Sequence, residues 1–238
     1  MDNTTYVTLT RQSGLLQEMQ VLANNIANTN TTGFRAEGIL FSEHIKNLGP
    51  GMPSLSMATA RVRDTATTQG SLAQTGGTFD LAIEGDGFFL IDTPQGQRLT
   101  RAGAFGPNDL GDLVTPDGYQ VLDAGGVPLF VPVGAGPVGI GSDGTISVGG
   151  EPIGQIGLFA PVDPNQMIRE SGTLFDPQDG IAPAQDGRIL QGFLESANVN
   201  PIQQISRMIE VQRAYELGQS FLDKEHDRIR SVIDAVRP

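Results

Sequence analysis

Gly134-Ala135-Gly136-Pro137-Val138-Gly139 has the glycine spacing of a dinucleotide-binding turn. That chemistry needs a helix beginning inside the motif, so that its first amides face a pyrophosphate. Pro137 interrupts the run, and Ile140-Gly141-Ser142-Asp143-Gly144 behind it reads as turn and strand, so a loop is expected. The two histidines, His44 and His226, are isolated in different segments and suggest no metal site. Asp176-Pro177-Gln178-Asp179-Gly180 has acidic turn chemistry but lacks the alternating ligands and distal Glu of an EF-hand. Asp80, Glu84 and Asp86 could pair as carboxylates, yet acidic residues at strand edges and turns are ordinarily solvated. No Ser occupies a Gly-x-Ser-x-Gly elbow, so a hydrolase triad has no anchor. Asn3-Thr4-Thr5 and Asn30-Thr31-Thr32 are glycosylation sequons, which matter only in a eukaryotic secretory context. The expectation is a protein with no catalytic group, no cofactor and no metal: not an enzyme.

The segments that carry these residues differ in period. Asp2, Asn3 and Thr4 are N-cap candidates, and Leu9, Leu16 and Ala23, with Met19 and Ile26 on the interleaved row, make a helical stripe. The run ends in Asn28-Thr29-Asn30-Thr31-Thr32-Gly33, where Asn and Gly suit the positive-φ end of a helix. At the other end, Asn200-Pro201 reads as a cap followed by Pro at the first helical position. Met208, Tyr215, Leu222, Ile229 and Val236 then recur every seven residues, with Ile205, Gln212, Gln219, His226 and Ile233 as the alternate row. Such rows make a coiled-coil seam whose polar members would fix register. Each terminal helix therefore calls for a helical partner. The heptads leave open whether that partner is in the same chain, as a closing hairpin, or in another.

Between the helices the period falls to two. Phe79–Ile83 and Phe88–Ile91 read as strands across Gly85-Asp86-Gly87, and further turn signals follow at Pro116-Asp117-Gly118, Gly125-Gly126, Asp143-Gly144 and Gly149-Gly150. Short runs at such intervals indicate an all-β sandwich or barrel-like module. The expected fold is α+β with a mainly β body. Residues 1–35 and 196–238 would form a helical coiled-coil domain, 36–78 an extended linker, and 79–195 an inserted all-β domain.

Composition agrees. The 31 Gly and 15 Pro of 238 residues favour a turn-rich β body over a helical globule. A net charge of −12 opposes nucleic acid or anionic membrane as partner. That charge is concentrated in the middle. Residues 1–35 carry two acidic and two basic groups, and residues 195–238 carry seven and six. Near-neutral ends on a charged body suggest that the ends meet partners. With no Cys there is no disulfide framework, and no stretch approaches the ~20 apolar residues of a membrane span, so direct membrane insertion is not expected. Met1–Thr10 has neither a basic n-region nor an apolar h-region, so no cleaved signal peptide is expected.

Several blocks, in order along the chain, resemble the flagellar rod and hook axial proteins. Ala23-Asn24-Asn25-Ile26-Ala27-Asn28 with Thr31-Thr32-Gly33-Phe34-Arg35 is similar to their N-terminal signature. Phe79–Ile83, Gly85–Phe89, Leu99-Thr100-Arg101-Ala102-Gly103-Ala104-Phe105 and Thr115–Tyr119 are similar to their β motifs. Gln191–Glu195, Asn198–Pro201 and Arg207-Met208-Ile209-Glu210-Val211-Gln212-Arg213-Ala214-Tyr215-Glu216 are similar to their C-terminal signature, although Ala197 stands where the family usually has Ser. Within the family, the opening Leu9-Thr10-Arg11-Gln12, the short β body and the length fit a proximal-rod member. Distal-rod members are somewhat longer and remain the alternative, and hook protein is much longer.

The resemblance implies a structural subunit of the proximal rod in the flagellar basal body. It implies partners among proximal and distal rod proteins, copies of itself and the type III export apparatus, which takes chains without a cleaved signal into the periplasm. Both terminal helices would pack as the inner coiled-coil layer, folding as the subunit joins. The implied assembly residues are Leu9, Leu16, Met19, Ala23, Asn24, Asn25, Ile26 and Asn28, with Ile205, Met208, Gln212, Tyr215, Leu222, Ile229, Ile233 and Val236. Asn24, Asn25 and Asn28 would bond across helices. A rival of another class is a secreted β-rich enzyme or carbohydrate-binding module, for which a chain with no Trp and three Tyr offers few stacking platforms.

Overall fold

The computed structural model describes residues 2–46, 55–132, 134 and 136–236, with side chains for 7–40, 64–132, 134 and 136–235. The fold is α+β: a helix at each end and a mainly β body. Helix α1 spans Asp2–Ala27, strands β1 and β2 span Glu37–Lys46 and Leu55–Thr65, and helix α2 spans Pro201–Val236. The chain divides into two compact units. One comprises the described residues of 1–27, 36–66 and 200–238, the other residues 28–35 and 67–199.

In the first unit the helix ends lie close to where the sequence places them. α1 stops at Ala27, and Thr31 Oγ1 donates to Asn28 Oδ1 at 3.0 Å in the turn that follows. Asn200 caps α2: its Oδ1 accepts from the amides of Ile202 and Gln203 at 3.1 and 3.2 Å, with Pro201 at the first helical position where a missing N–H costs nothing. Asp2, Asn3 and Thr4 fall within α1, and their side chains lie outside the described ones. α1 packs along α2 and against both strands.

Residues 36–78, expected as an extended linker, contain strands among the described residues. They hold the antiparallel hairpin β1–β2, registered from Glu37↔Thr65 to Lys46↔Leu55 with a bulge between Leu40 and Phe41, and a short strand β3 (Leu72–Gln74). A two-stranded ribbon takes its hydrogen bonds from its partner strand, so it can form without the strong apolar alternation by which strands are recognised.

The second unit holds the β body. Here β4 (Leu81–Glu84) and β5 (Phe88–Thr93) fall on the strands expected at 79–83 and 88–91, and β6 (Gly96–Thr100) follows them. Across Gly85-Asp86-Gly87, however, β4 and β5 do not pair. β4 pairs with Arg188–Gln191, and β5 lies inside the largest sheet between β6 and Gln120–Val121. Successive side chains of a strand point to opposite faces. Phe89 and Ile91 accordingly join one core with Leu81, Leu113, Ile146 and Ile189, while Leu90 joins a second with Leu99, Phe159 and Phe175. Both faces of β5 are buried, which explains its unbroken apolar run Phe88-Phe89-Leu90-Ile91. Gly103 lets the chain pass close to β4: a Cβ there would stand 1.7 Å from the Leu81 carbonyl oxygen.

Candidate assembly surface

The helices of the first unit run antiparallel. Near the C-terminal end of α1, Asn25 Nδ2 donates to Gln204 Oε1 at 3.3 Å; further back, Arg207 Nε donates to Glu18 Oε1 at 2.7 Å and Gln12 Nε2 to the Tyr215 carbonyl at 2.9 Å. Met208, Tyr215 and Leu222 are half-buried. Their companion row is Gln204, Val211, Gly218 and Glu225, one residue earlier than the row Ile205, Gln212, Gln219, His226 and Ile233. Both rows lie three or four residues from Met208, so spacing alone cannot choose between them. Side-chain size does. Gly218 admits Gln12, whose amide nitrogen would be only 2.2 Å from a Cβ there, and Val211, two turns earlier in the same row, is buried.

Ile205, Gln212, Gln219, His226 and Ile233 consequently face outward, as does Ile229, and Ile233 keeps 55% of its surface exposed. The Val236 side chain lies outside the described ones. On α1 the row Leu9, Leu16 and Ala23 also faces outward, with Leu9 at 50%, while Met19, Asn24, Ile26 and Asn28 are half-buried. The buried face of α1 is instead Gln12, Val21, Leu22 and Asn25. Asn25, 1% exposed, is spent within the chain: its Nδ2 donates to the Glu37 carbonyl at 2.8 Å and its Oδ1 accepts from the Glu37 amide at 2.9 Å. It pins the end of α1 to the start of β1. The pair of helices thus satisfies one face of each and leaves an apolar row open on both.

A second constellation, within the other unit, was not anticipated from sequence. Glu195 takes Arg35 Nη2 on Oε1 at 3.1 Å and Arg101 Nη1 on Oε2 at 3.2 Å, and its Oε1 also accepts from the Gly70 amide at 2.9 Å. Arg101 donates further to the carbonyls of Ile83 and Gly85, and Arg35 to those of Thr67 and Thr68. Burial outweighs the attraction of Glu195 and draws the Arg101 guanidinium down to about 10; Arg35 is lowered for the same first reason. Beside them Arg169 lies 4.5 and 4.6 Å from the ring centroids of Phe34 and Phe175 and donates to the Arg35 carbonyl. Each member sits in a different motif block: Arg35 after Thr-Thr-Gly-Phe, Arg101 in Leu-Thr-Arg-Ala-Gly, Glu195 after Gly-Phe-Leu. The available signal was that these blocks each carry one charge among apolar or small neighbours.

The groups first considered for chemistry are dispersed. From Val138 the glycine motif enters a strand rather than a helix, and Ala135 lies outside the described residues. Asp80 accepts from Thr75 Oγ1 at 2.5 Å, Glu84 pairs with Arg188 at 2.7 Å, and Asp86 contributes charge to the two buried arginines. Asp176 lies 3.7 Å from Arg98 and accepts from Gln178. The His44 side chain lies outside the described ones, and His226 is exposed on α2.

Three family models match the chain in order: "Flagella basal body rod protein" over residues 6–35, "Flagellar hook protein FlgE/F/G D1 domain" over 82–148, and "Flagellar basal body rod FlgEFG protein C-terminal" over 190–235. The chain is 40% identical to the flagellar basal-body rod protein FlgF of Caulobacter vibrioides, covering 98% of each, and 39% identical to FlgF of Mesorhizobium japonicum over 91% and 90%. It is 30% identical to the rod protein FlgG of Bacillus subtilis over 92% and 94%. The chain belongs to the flagellar basal-body rod protein family, on its FlgF branch.

Proposed function

We propose that the chain is a structural subunit of the proximal rod, assembling with other rod subunits through its terminal helices to transmit torque by stiffness. The observation that carries this is the open apolar row on each helix, formed by Leu9 and Leu16 on α1 and by Ile205, Ile229 and Ile233 on α2. In a chain of this family, those rows are the surface a neighbour's helix would cover. The helices would form a coiled-coil inner layer and the inserted β body the outer one. Contacts between unlike surface patches generate an open helical polymer rather than a closed ring of two.

Ordering helix backbone costs on the order of 1–2 kcal/mol per residue, and a half-covered pair returns only part of that. Completion of the helical unit is therefore coupled to assembly. Export through the flagellar type III apparatus into the periplasm fits a chain with no cysteine to oxidise. The wider −12 charge, carried mostly by the middle of the chain, keeps the β body solvated.

Cross-linking in purified basal bodies tests the placement. Adducts with proximal-rod neighbours support it; adducts confined to distal-rod and hook neighbours move the chain outward. Failure of the gene to restore rods in a deletion strain refutes a rod role altogether.

A further inference from the structure

The β body is joined to the rest of the chain at four places, 27/28, 35/36, 66/67 and 199/200. Inside the body, the three segments that reach these places are bonded to one another. The Gly33 amide donates to the Glu195 carbonyl at 2.7 Å, the Asn198 amide to the Phe34 carbonyl at 3.2 Å, and Arg35 Nη2 lies 3.1 Å from Glu195 Oε1. The segment after residue 66 joins them. The Gly70 amide donates to Glu195 Oε1 at 2.9 Å, the Ser196 amide to the Ser71 carbonyl at 2.8 Å, and Asn198 Nδ2 to the Thr68 carbonyl at 2.8 Å, which Arg35 also meets. Two glycines set how near the chain segments come. A Cβ on Gly70 would stand 1.9 Å from the Ser196 carbonyl oxygen, and one on Gly33, whose φ is +69°, 2.3 Å from the Ala102 amide nitrogen.

This arrangement decides where tension goes. A pull on α1 reaches the β body at Asn28, and a pull on α2 reaches it at Val199. Between those points tension has a long path through the strands and a short one, from residues 33–35 across three bonds to residues 195–198. The short path carries it for as long as those bonds hold. They join the same two segments, so they must yield together. Arg35 and Glu195 are 2% and 1% exposed, so water does not replace their bonds as they stretch. The sheet, with Leu81, Phe89 and Ile146 in its core, is loaded only after they fail.

We infer that Glu195, with Arg35 and Asn198, is a mechanical clamp that carries tension between the two terminal helices past the sheet, so that the β body keeps its fold while the helices are under load. The inference rests on the rod-subunit reading and names the residues by which a subunit built for stiffness resists being pulled open. A clamp differs from an ordinary stabilising contact in one measurable respect. Under tension applied at the termini, its bonds set the rate of opening and the apolar core of the sheet does not.

The chain contains no cysteine, so a thiol added at each terminus of the full-length protein gives two unambiguous handles for pulling at constant force. The longest extension step belongs to the β body, and the waiting time before it reports the rate of opening, which governs forced unfolding. Glu195→Gln is expected to shorten that time about tenfold or more, the worth of a hydrogen bond to a charged group. Asn198→Ala, which leaves the buried ion pair intact and so tests the clamp even where Glu195→Gln fails to fold, should shorten it severalfold. Ile146→Ala, in the core of the sheet, should weaken the protein against denaturant as much as Glu195→Gln yet change the waiting time by less than about twofold. That contrast supports the clamp. An Ile146→Ala effect as large as that of the clamp variants overturns it, as does a waiting time that neither clamp variant moves. If that contrast is missing while the wild-type gene restores rods in a deletion strain, the clamp falls and the rod reading stands. If the gene restores no rods, the rod reading falls, and the waiting times still decide the clamp.

Discussion

Arg35 and Glu195 form an ion pair in which neither side chain is more than 2% exposed, although one residue precedes the β body and the other closes it. Glu195 also neutralises Arg101, so one carboxylate serves two buried guanidiniums. Removing it leaves both cations desolvated and uncompensated. Glu195→Gln is expected to destabilise the β body by about 3–5 kcal/mol. Denaturant unfolding followed through the sheet signal checks this, and a loss under about 1 kcal/mol would show that solvent or Asp86 compensates the arginines.

Gly103→Ala should be poorly tolerated for a different reason. Its Cβ would meet the Leu81 carbonyl oxygen at 1.7 Å, inside a backbone contact where the Leu81 amide already bonds the Gly103 carbonyl at 2.9 Å. Both atoms belong to main chain, so relief requires β4 to shift and its core residues with it. A loss of roughly 2–4 kcal/mol is expected, with reduced amide protection at Leu81. Unchanged thermal stability would contradict the close approach.

Substitutions on the two sides of α2 should separate folding from assembly. Val211→Ala removes buried apolar contact with α1 and is expected to cost about 1–2 kcal/mol in the free chain. Ile233→Ser lies on the open row and should change free-chain stability by less than about 0.5 kcal/mol while lowering incorporation into rods. Paired melting and incorporation measurements decide it. If Ile233→Ser destabilises the free chain as much as Val211→Ala, the open row is not open in solution.

Asn25→Ala breaks both hydrogen bonds between its side chain and the Glu37 backbone. About 2 kcal/mol of local stability is expected to go, seen as faster hydrogen exchange at Glu37 and at the last turn of α1. Exchange confined to fast timescales in the wild type as well would show that the link is not made.

Asp143 offers a reading of pH. The backbone and side-chain hydrogen bonds from Thr145 hold its carboxyl below the ordinary value. A depressed carboxylate contributes stability above its unfolded pKa, and that contribution is lost as pH falls through the folded pKa. Thr145→Val keeps the amide donor but removes the hydroxyl, so the Asp143 titration midpoint should rise part of the way back. Carbon-detected titration by NMR measures the shift, and an unmoved midpoint would exclude the hydroxyl as a cause.

The legibility of the fold in the sequence followed from how much signal each element must carry. The cap at Asn200-Pro201, the α1 terminus before Gly33 and the apolar strands β4 and β5 are each set by local chemistry, and each was legible. The hairpin β1–β2 was not, because its order comes from partner-strand hydrogen bonds rather than from a buried face. Strand partners were equally hidden: a Gly-Asp-Gly turn separates β4 from β5 without deciding what either pairs with.

The candidate surface divided in the same way. Met208, Tyr215 and Leu222, which repeat every seven residues and are apolar or aromatic, are half-buried on α2. Ile205 and Ile233 look more like seam residues than Gly218 or Gln204 do, yet it is Gly218 and Gln204 that are half-buried. Only the space left by Gly218, into which Gln12 enters, distinguishes the two rows. The Arg35–Glu195–Arg101 cluster left only the lone charge in each motif block as a signal, since charge pairing across such sequence distance leaves no periodic trace.

Residues 28–35 follow the first helix in the chain but are compactly part of the β body, where Arg35 meets Glu195. A protease that cuts just after α1 would therefore release a stable fragment only if it spares this octapeptide. Cleavage a few residues later would strip Arg35, one of the two guanidiniums on Glu195, and expose the Phe34 site to water. The shortest fragment worth purifying on its own begins at Asn28, not at Ala36.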